Sequence, residues 1–228
     1  EIKRLANRDT IAAAVDNTMC RLLMNSRKVS SEEFSGDMLL VRDIIIKYIQ
    51  RGIMRYDIAN EGYTIAGLEK DVDWQCPISN GRMVNLSGRA DRIDRRADGS
   101  LQIIDYKSGN TPHLEYNGME ALFRGGAQER VSNIFQTMLY SMILHRKYKL
   151  ESCPSLYFAS KMLNDDYSPL ILDRTTGAYV ERFSDISEEF ESELNATLEE
   201  LFDYSTPFRQ TEDEDMCKYC DFKKICRR

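Results

Sequence analysis

The chain has 228 residues, 42% of them hydrophobic and 30% charged, the composition of a folded globular protein and not of a disordered or fibrous one. Its 31 Lys and Arg against 37 Asp and Glu leave a formal net charge of −6, which excludes a grip on nucleic acid through bulk positive charge and leaves only a local basic groove. No apolar run reaches the ~18–20 residues of a membrane span, and no secretory signal opens the chain.

Leu5, Ile11, Val15, Leu22 and Leu23 recur at roughly helical spacing and predict a helix over residues 2–25. A Ser/Glu/Gly break at 30–36 precedes a second helix over 37–56. Tyr63, Ile65, Leu68, Val72 and Trp74 alternate imperfectly and predict a strand over 62–76; a second follows at 83–95, and Asp98-Gly99 turns the chain into a third at 101–107. A polar loop over 109–126 leads to a long helix at 128–148 and a strand at 155–160. Segments at 170–173 and 179–183 pair with that strand or with each other. An acidic helix, 187–204, contains no Lys or Arg. This order predicts an α/β domain around a mixed central sheet flanked by helices. Within one structural domain, helices occupy 1–60, the core 61–205 and a cysteine-bearing tail 206–228.

Of the six cysteines, Cys20, Cys76 and Cys153 are scattered, while Cys217, Cys220 and Cys226 crowd into the last twelve residues. In a chain without a secretion signal such a cluster reads as a metal–thiolate site in a reducing, cytoplasmic compartment, or as free thiols packed on the domain.

The informative stretch is Gly88-Arg89-Ala90-Asp91-Arg92-Ile93-Asp94, a turn, then Ile103-Ile104-Asp105-Tyr106-Lys107-Ser108-Gly109. Strand alternation sends Asp105 and Lys107 to one face and Tyr106 to the other. The turn brings Asp91 toward Asp105. Two carboxylates in one site repel unless a cation lies between them, and oxygen ligands suit Mg²⁺ or Mn²⁺. A neighbouring ammonium would position water or stabilise charge on a phosphoryl oxygen. The plain alternative is a set of solvated residues at a strand end, but Ile103 and Ile104 make the strand a buried one, and buried acids need partners.

Gly88-x-x-Asp91-x-x-Asp94 followed by Ile104-Asp105-Tyr106-Lys107-Ser108-Gly109 resembles the active-site signature of the RecB/AddB-type branch of the PD-(D/E)XK nucleases. The branch's next feature, Gln-x-x-x-Tyr on a helix, is matched by Gln136 and Tyr140, whose i, i+4 spacing puts both on one face. The resemblance covers residues 68–144 and the tail. It implies a restriction-endonuclease-like core and metal-dependent, exonuclease-type hydrolysis of DNA in recombinational repair. Asp91, Asp105 and the Tyr106 carbonyl would hold Mg²⁺ or Mn²⁺. Lys107 would act on the attacking water or the phosphorus, Gln136 and Tyr140 near the scissile bond, and Glu69 in support. The branch's metal-binding His matches neither His113 nor His145 and is expected upstream of Glu1.

In the same branch, especially the AddB-like and CRISPR-adaptation nucleases, a C-terminal triplet like Cys217, Cys220 and Cys226 joins one distant N-terminal Cys around a structural [4Fe–4S] cluster. The resemblance places that fourth ligand upstream of Glu1, with Cys20 as an in-chain substitute. Arg89, Arg92, Arg95, Arg96, Arg124 and Arg130 would line a groove for the DNA backbone, with the acidic helix on the far side. An acidic nuclease module would borrow grip from helicase-like neighbours, fused or as a partner. The competing reading is a catalytically decayed module that binds DNA or scaffolds; a weaker third is a cysteine-tail metal protein that binds without cutting.

Overall fold

The computed structural model describes residues 2–23, 34–60, 62–79, 81–109, 113–126, 131–207 and 209–227. They fall into two compact units, one of residues 1–62, 106–112 and 157–168, the other of 63–105, 113–156 and 169–228.

The first unit is helical at its N-terminal end. The expected continuous helix is instead two, α1 (Ile2–Leu5) and α2 (Arg8–Leu23). Asn7 interrupts them: its Oδ1 accepts the Asp9 backbone N–H at 2.8 Å, an N-cap that starts a new helix. The end of the expected helix and most of the break after it lie outside the described residues. The second expected helix is α3 (Gly36–Lys47), a π-helical stretch (Tyr48–Met54) and α4 (Arg55–Ala59) in succession. Within the π stretch, a Cβ on Gly52 would stand 3.3 Å from both the Ala159 carbonyl oxygen and Met162 Cβ, so only glycine fits this approach without displacement. Ile11, Val15, Met19, Cys20, Phe34 and Ile46 form the buried cluster. Beside it Arg42 grips Asp16 with two donors, its Nη2 at 2.9 Å from Oδ2.

In the second unit β1 (Tyr63–Pro77) and β2 (Met83–Arg96) make a long antiparallel pair, and β2 pairs antiparallel with β3 (Leu101–Lys107). With β5 (Ser152–Phe158) the sheet order is β1-β2-β3-β5. Leu101 N–H donates to Glu151 O at 2.8 Å and Ala159 N–H to Lys107 O at 3.0 Å, which sets β5 parallel to β3 and makes the sheet mixed. Every residue of β5 is buried, so no alternation marks it. Its first three residues include Pro154, a poor strand signal, and the sequence places the strand three residues late.

A small second sheet joins β4 (Glu115–Tyr116), β6 (Leu172–Asp173) and β7 (Ala178–Tyr179), and Ser155 bridges to Leu170; of the two segments after β5 the first bridges to it, and the two pair with each other. Helix α5 (Met119–Arg124) follows β4, and α6 (Ser132–Tyr148) lies against β1 and β2. The start expected for α6, at Gln128, lies outside the described residues, as does Arg130. Helix α7 (Ser187–Leu201) buries Phe190, Leu194 and Leu198, one stripe at i, i+4, i+8. Phe190 meets Phe123 edge-on at 5.2 Å and Phe183 at 5.8 Å. The architecture is the mixed α/β one that the element order predicts, a mixed sheet flanked by helices, consistent with a restriction-endonuclease-like core. Among the described residues no helix is long and apolar enough to cross a membrane.

Candidate active site

The ladder between β2 and β3 runs from Arg95↔Leu101 to Arg92↔Ile104. One step further in the same register come Asp91 and Asp105. The paired ladder ends at Arg92↔Ile104, so Asp91 and Asp105 are the first residues beyond it, leaving their strands on the same side as Ile93 and Ile103. Asp105 is buried and Asp91 half-buried. On the other side of Asp91, the β1–β2 register passes from Leu68↔Arg92 to Lys70↔Ala90 and so sets Glu69 level with Asp91. Glu69 has φ 47, a left-handed backbone that L-residues adopt only under constraint, and that position drops out of the ladder. Among the described residues no three His, Cys, Asp or Glu side chains come together as a metal-holding group, so Glu69 is not drawn into a ligand set with the two aspartates. Lys107 is the last residue of β3, two positions beyond Asp105, and is half-buried.

Gln136 and Tyr140 meet along one face of α6, the Gln136 amide donating to the Tyr140 hydroxyl at 2.9 Å. Tyr140 is buried, its ring directly over Gly88 of β2: a Cβ there would lie 2.6 Å from the hydroxyl oxygen and 2.8 Å from Cζ. Gly88 is therefore the residue that lets α6 settle onto the strand three positions before Asp91. Thr137 anchors the same turn through its hydroxyl to Asn133 O at 2.7 Å.

A family model described as the PD-(D/E)XK nuclease superfamily matches residues 1–227. The chain belongs to the PD-(D/E)XK nuclease superfamily. Membership implies a nuclease-type function that depends on a metal and makes DNA the expected substrate class. Among solved structures, one titled "Crystal structure of SSO0001" is similar over 96% of this chain and 83% of that chain, at 13% identity and a TM-score of 0.34, too slight a likeness to carry an argument. No curated protein matches.

Superfamily nucleases work with Mg²⁺ or Mn²⁺, and the donor set fits such an ion: two carboxylates at adjacent cross-strand positions, both hard oxygen ligands. The thiols do not fit an iron–sulfur cluster. Cys217, Cys220 and Cys226 lie half-exposed on a tail of short turns after a 3₁₀ stretch, Glu214–Cys217, and do not gather as a metal-holding group among the described residues. Cys20 is sealed in the helical core of the first unit, 1% exposed.

The arginines depart from the expected groove. Arg92 is only 3% exposed and is bound through Nε and Nη2 to Asp94 at 2.8 and 2.7 Å, under the ring of Tyr63. Strand alternation is the reason: positions 92 and 94 leave the sheet on the face opposite Asp91. Arg89 remains exposed but pairs with Asp71 at 2.7 Å. The acidic helix is not a remote solvated face either. Arg124 meets Glu193 and Glu200 of α7, both at 3.2 Å, Arg146 pairs with Glu191, and Ser79 Oγ donates to Glu199 at 2.6 Å. Three of its acids, Glu191, Glu193 and Glu200, are matched by arginines from elsewhere in the chain. His145 is structural, its Nδ1 at 3.0 Å from Leu150 O and its ring against Phe183; His113 is exposed.

Proposed function

We propose that the chain is a Mg²⁺- or Mn²⁺-dependent DNA nuclease of the RecB/AddB type. It acts exonucleolytically in cytoplasmic recombinational repair, as the nuclease module of a larger helicase–nuclease assembly. Superfamily membership and the spacing of the signature residues support this reading, and the observation that carries it is the β2–β3 register, which ends one residue short of Asp91 and Asp105. In this proposal Asp91, Asp105 and the Tyr106 carbonyl hold the divalent ion, which when bound supplies Lewis-acid charge at the scissile phosphate. Lys107 orients the attacking water and offsets negative charge on the phosphoryl oxygens. Gln136 and Tyr140, tied to each other, hold the neighbouring end of α6 against β2 and face the scissile region. The water oxygen bonds to phosphorus as one bridging P–O bond breaks; the water gives a proton to solvent and the leaving oxygen takes one up. The cysteine tail has no part in the reaction.

The test is digestion of single-stranded and duplex DNA with Mg²⁺ or Mn²⁺. The expected result is metal-dependent release of nucleotides, reduced at least about 10²-fold by Lys107→Ala, the scale of losing one transition-state stabiliser. Failure of the wild type on both substrates, or a Lys107→Ala variant as fast as wild type, defeats the proposal in favour of a non-cutting module.

A further inference from the structure

We propose that a second site, a cleft at the β2–β3 turn, binds a phosphate group. The cleft has a volume of about 570 Å³ and is walled by Arg95 and Arg96 at the end of β2, Lys149 just beyond α6, and Arg182. Arg95 is four residues from Asp91, about 13 Å along the strand at ~3.3 Å per residue, so this is not the carboxylate site.

Three of the four cations have no carboxylate within ion-pair distance among the described residues: Arg95, Arg96 and Lys149. Arg89, Arg92, Arg124, Arg146 and Lys147 of the same unit, by contrast, hold acids. The acids near the cleft are occupied. Asp98 accepts from Ser100 N–H at 2.9 Å and Ser100 Oγ at 2.7 Å, and Glu151 from Ser184 N–H at 3.1 Å and from Arg182. Only the Glu181 carboxylate lacks such a donor among the described residues. Lys149 is fixed in place, its backbone left-handed at φ 57 and its N–H bonded to His145 O at 2.9 Å. Arg96 also acts electrostatically on Asp98 and Cys153; the four cations Arg95, Arg96, Lys149 and Arg182 still outnumber the three carboxylates Asp98, Glu151 and Glu181, and this local excess favours an anion in a chain of net charge −6. No aromatic ring lines the cleft among the described residues, so the recognised group is a phosphate and not a stacked base. It comes from a nucleic-acid strand or from a free mononucleotide. The first source rests on the nuclease reading; the cleft's preference for phosphate does not.

The test is equilibrium binding in EDTA, where no cleavage occurs. Short fluorescent single-stranded DNA reads one source, and dAMP with inorganic phosphate reads the other. The triple variant Arg95→Gln, Arg96→Gln, Lys149→Asn keeps a residue suited to the left-handed position 149. It is expected to weaken binding at least about tenfold at low salt. For DNA it should also flatten the slope of log affinity against log salt by ~0.7 for each phosphate that is no longer neutralised. Glu181→Gln is expected to tighten binding about twofold by removing an opposing charge, a gain that misfolding cannot mimic. Loss confined to DNA assigns the strand; loss for dAMP and phosphate as well assigns the free nucleotide. Unchanged affinities for all three ligands in both variants overturn the site. A chain that binds as expected but never cuts DNA would end the nuclease reading and leave this one standing.

Discussion

Asp91 and Asp105 stand on strands whose neighbours Ala90, Arg92, Ile93 and Ile104 are all buried, whereas Cys217, Cys220 and Cys226 stand on a stretch, 203–227, with no buried residue among those described. Both sets are reactive residues at motif spacing. In the strands, burial on both faces makes register expensive to slip, because a shift of one residue would exchange Ile93 with the Arg92–Asp94 ion pair on the opposite face; the spacing of the acids is thereby held to one register. In the tail nothing is buried among the described residues, Tyr219 is 89% exposed, and the same kind of spacing does not gather the three thiols there into a metal-holding group. A motif acquires geometry only where packing enforces it.

The strongest way to break this contrast is activity. Asp105→Asn is expected to cut DNA hydrolysis at least about 10³-fold, about 4 kcal/mol of barrier, while changing Cys217, Cys220 and Cys226 together to Ser leaves it within about twofold. Equal losses, or iron and acid-labile sulfide in anaerobically purified protein, would show that the tail is a built site after all. Stability sharpens it next. Arg92→Ala strands the Asp94 carboxylate beneath the sheet and is expected to cost about 3 kcal/mol in urea unfolding; a loss below about 1 kcal/mol would mean that the buried pair is dispensable. Gly88→Ala drives a methyl into the Tyr140 ring and should cost about 2 kcal/mol, with a drop in activity that overpacking at a remote position would not bring.

A smaller effect depends on pH. Burial pushes the Glu151 carboxyl up, but hydrogen bonds from Ser184, the Ser152 N–H and Arg182 outweigh it and hold the group below its ordinary 4.5. A folded value below the unfolded one gives stability that is present above about pH 4.5 and lost as the pH falls through the folded value. Ser184→Ala is therefore expected to destabilise by about 1 kcal/mol at neutral pH and by progressively less in acid; a penalty that grows in acid contradicts the assignment. The cysteine triple variant should unfold within about 0.5 kcal/mol of wild type.

Much of this is legible in the sequence. Gly88, Asp91, Asp105, Gln136 and Tyr140 can be read as a constellation because strand and helix periodicities are local, and the same alternation already implies that Arg92 and Asp94 face away from Asp91. Other features are hidden. Asn7 as a cap and the π stretch around Gly52 depend on hydrogen bonds and close approaches that no periodicity encodes. The start of β5 is obscured by Pro154 and by burial on both faces.

The amino-acid order alone determined the long strands and helices of the core, the α/β class and the side of its strand from which each acid leaves, since these follow from backbone sterics and from where apolar residues recur; β4 and α5, inside the expected loop at 109–126, it did not. Tertiary structure decided the charges. Which arginines are spent on Glu191, Glu193 and Glu200, which is sealed against Asp94, and which gather with Lys149 and Arg182 at the β2–β3 turn depend on residues brought together from far along the chain. Coulomb energy depends on distance in space, and one-dimensional spacing does not specify that distance.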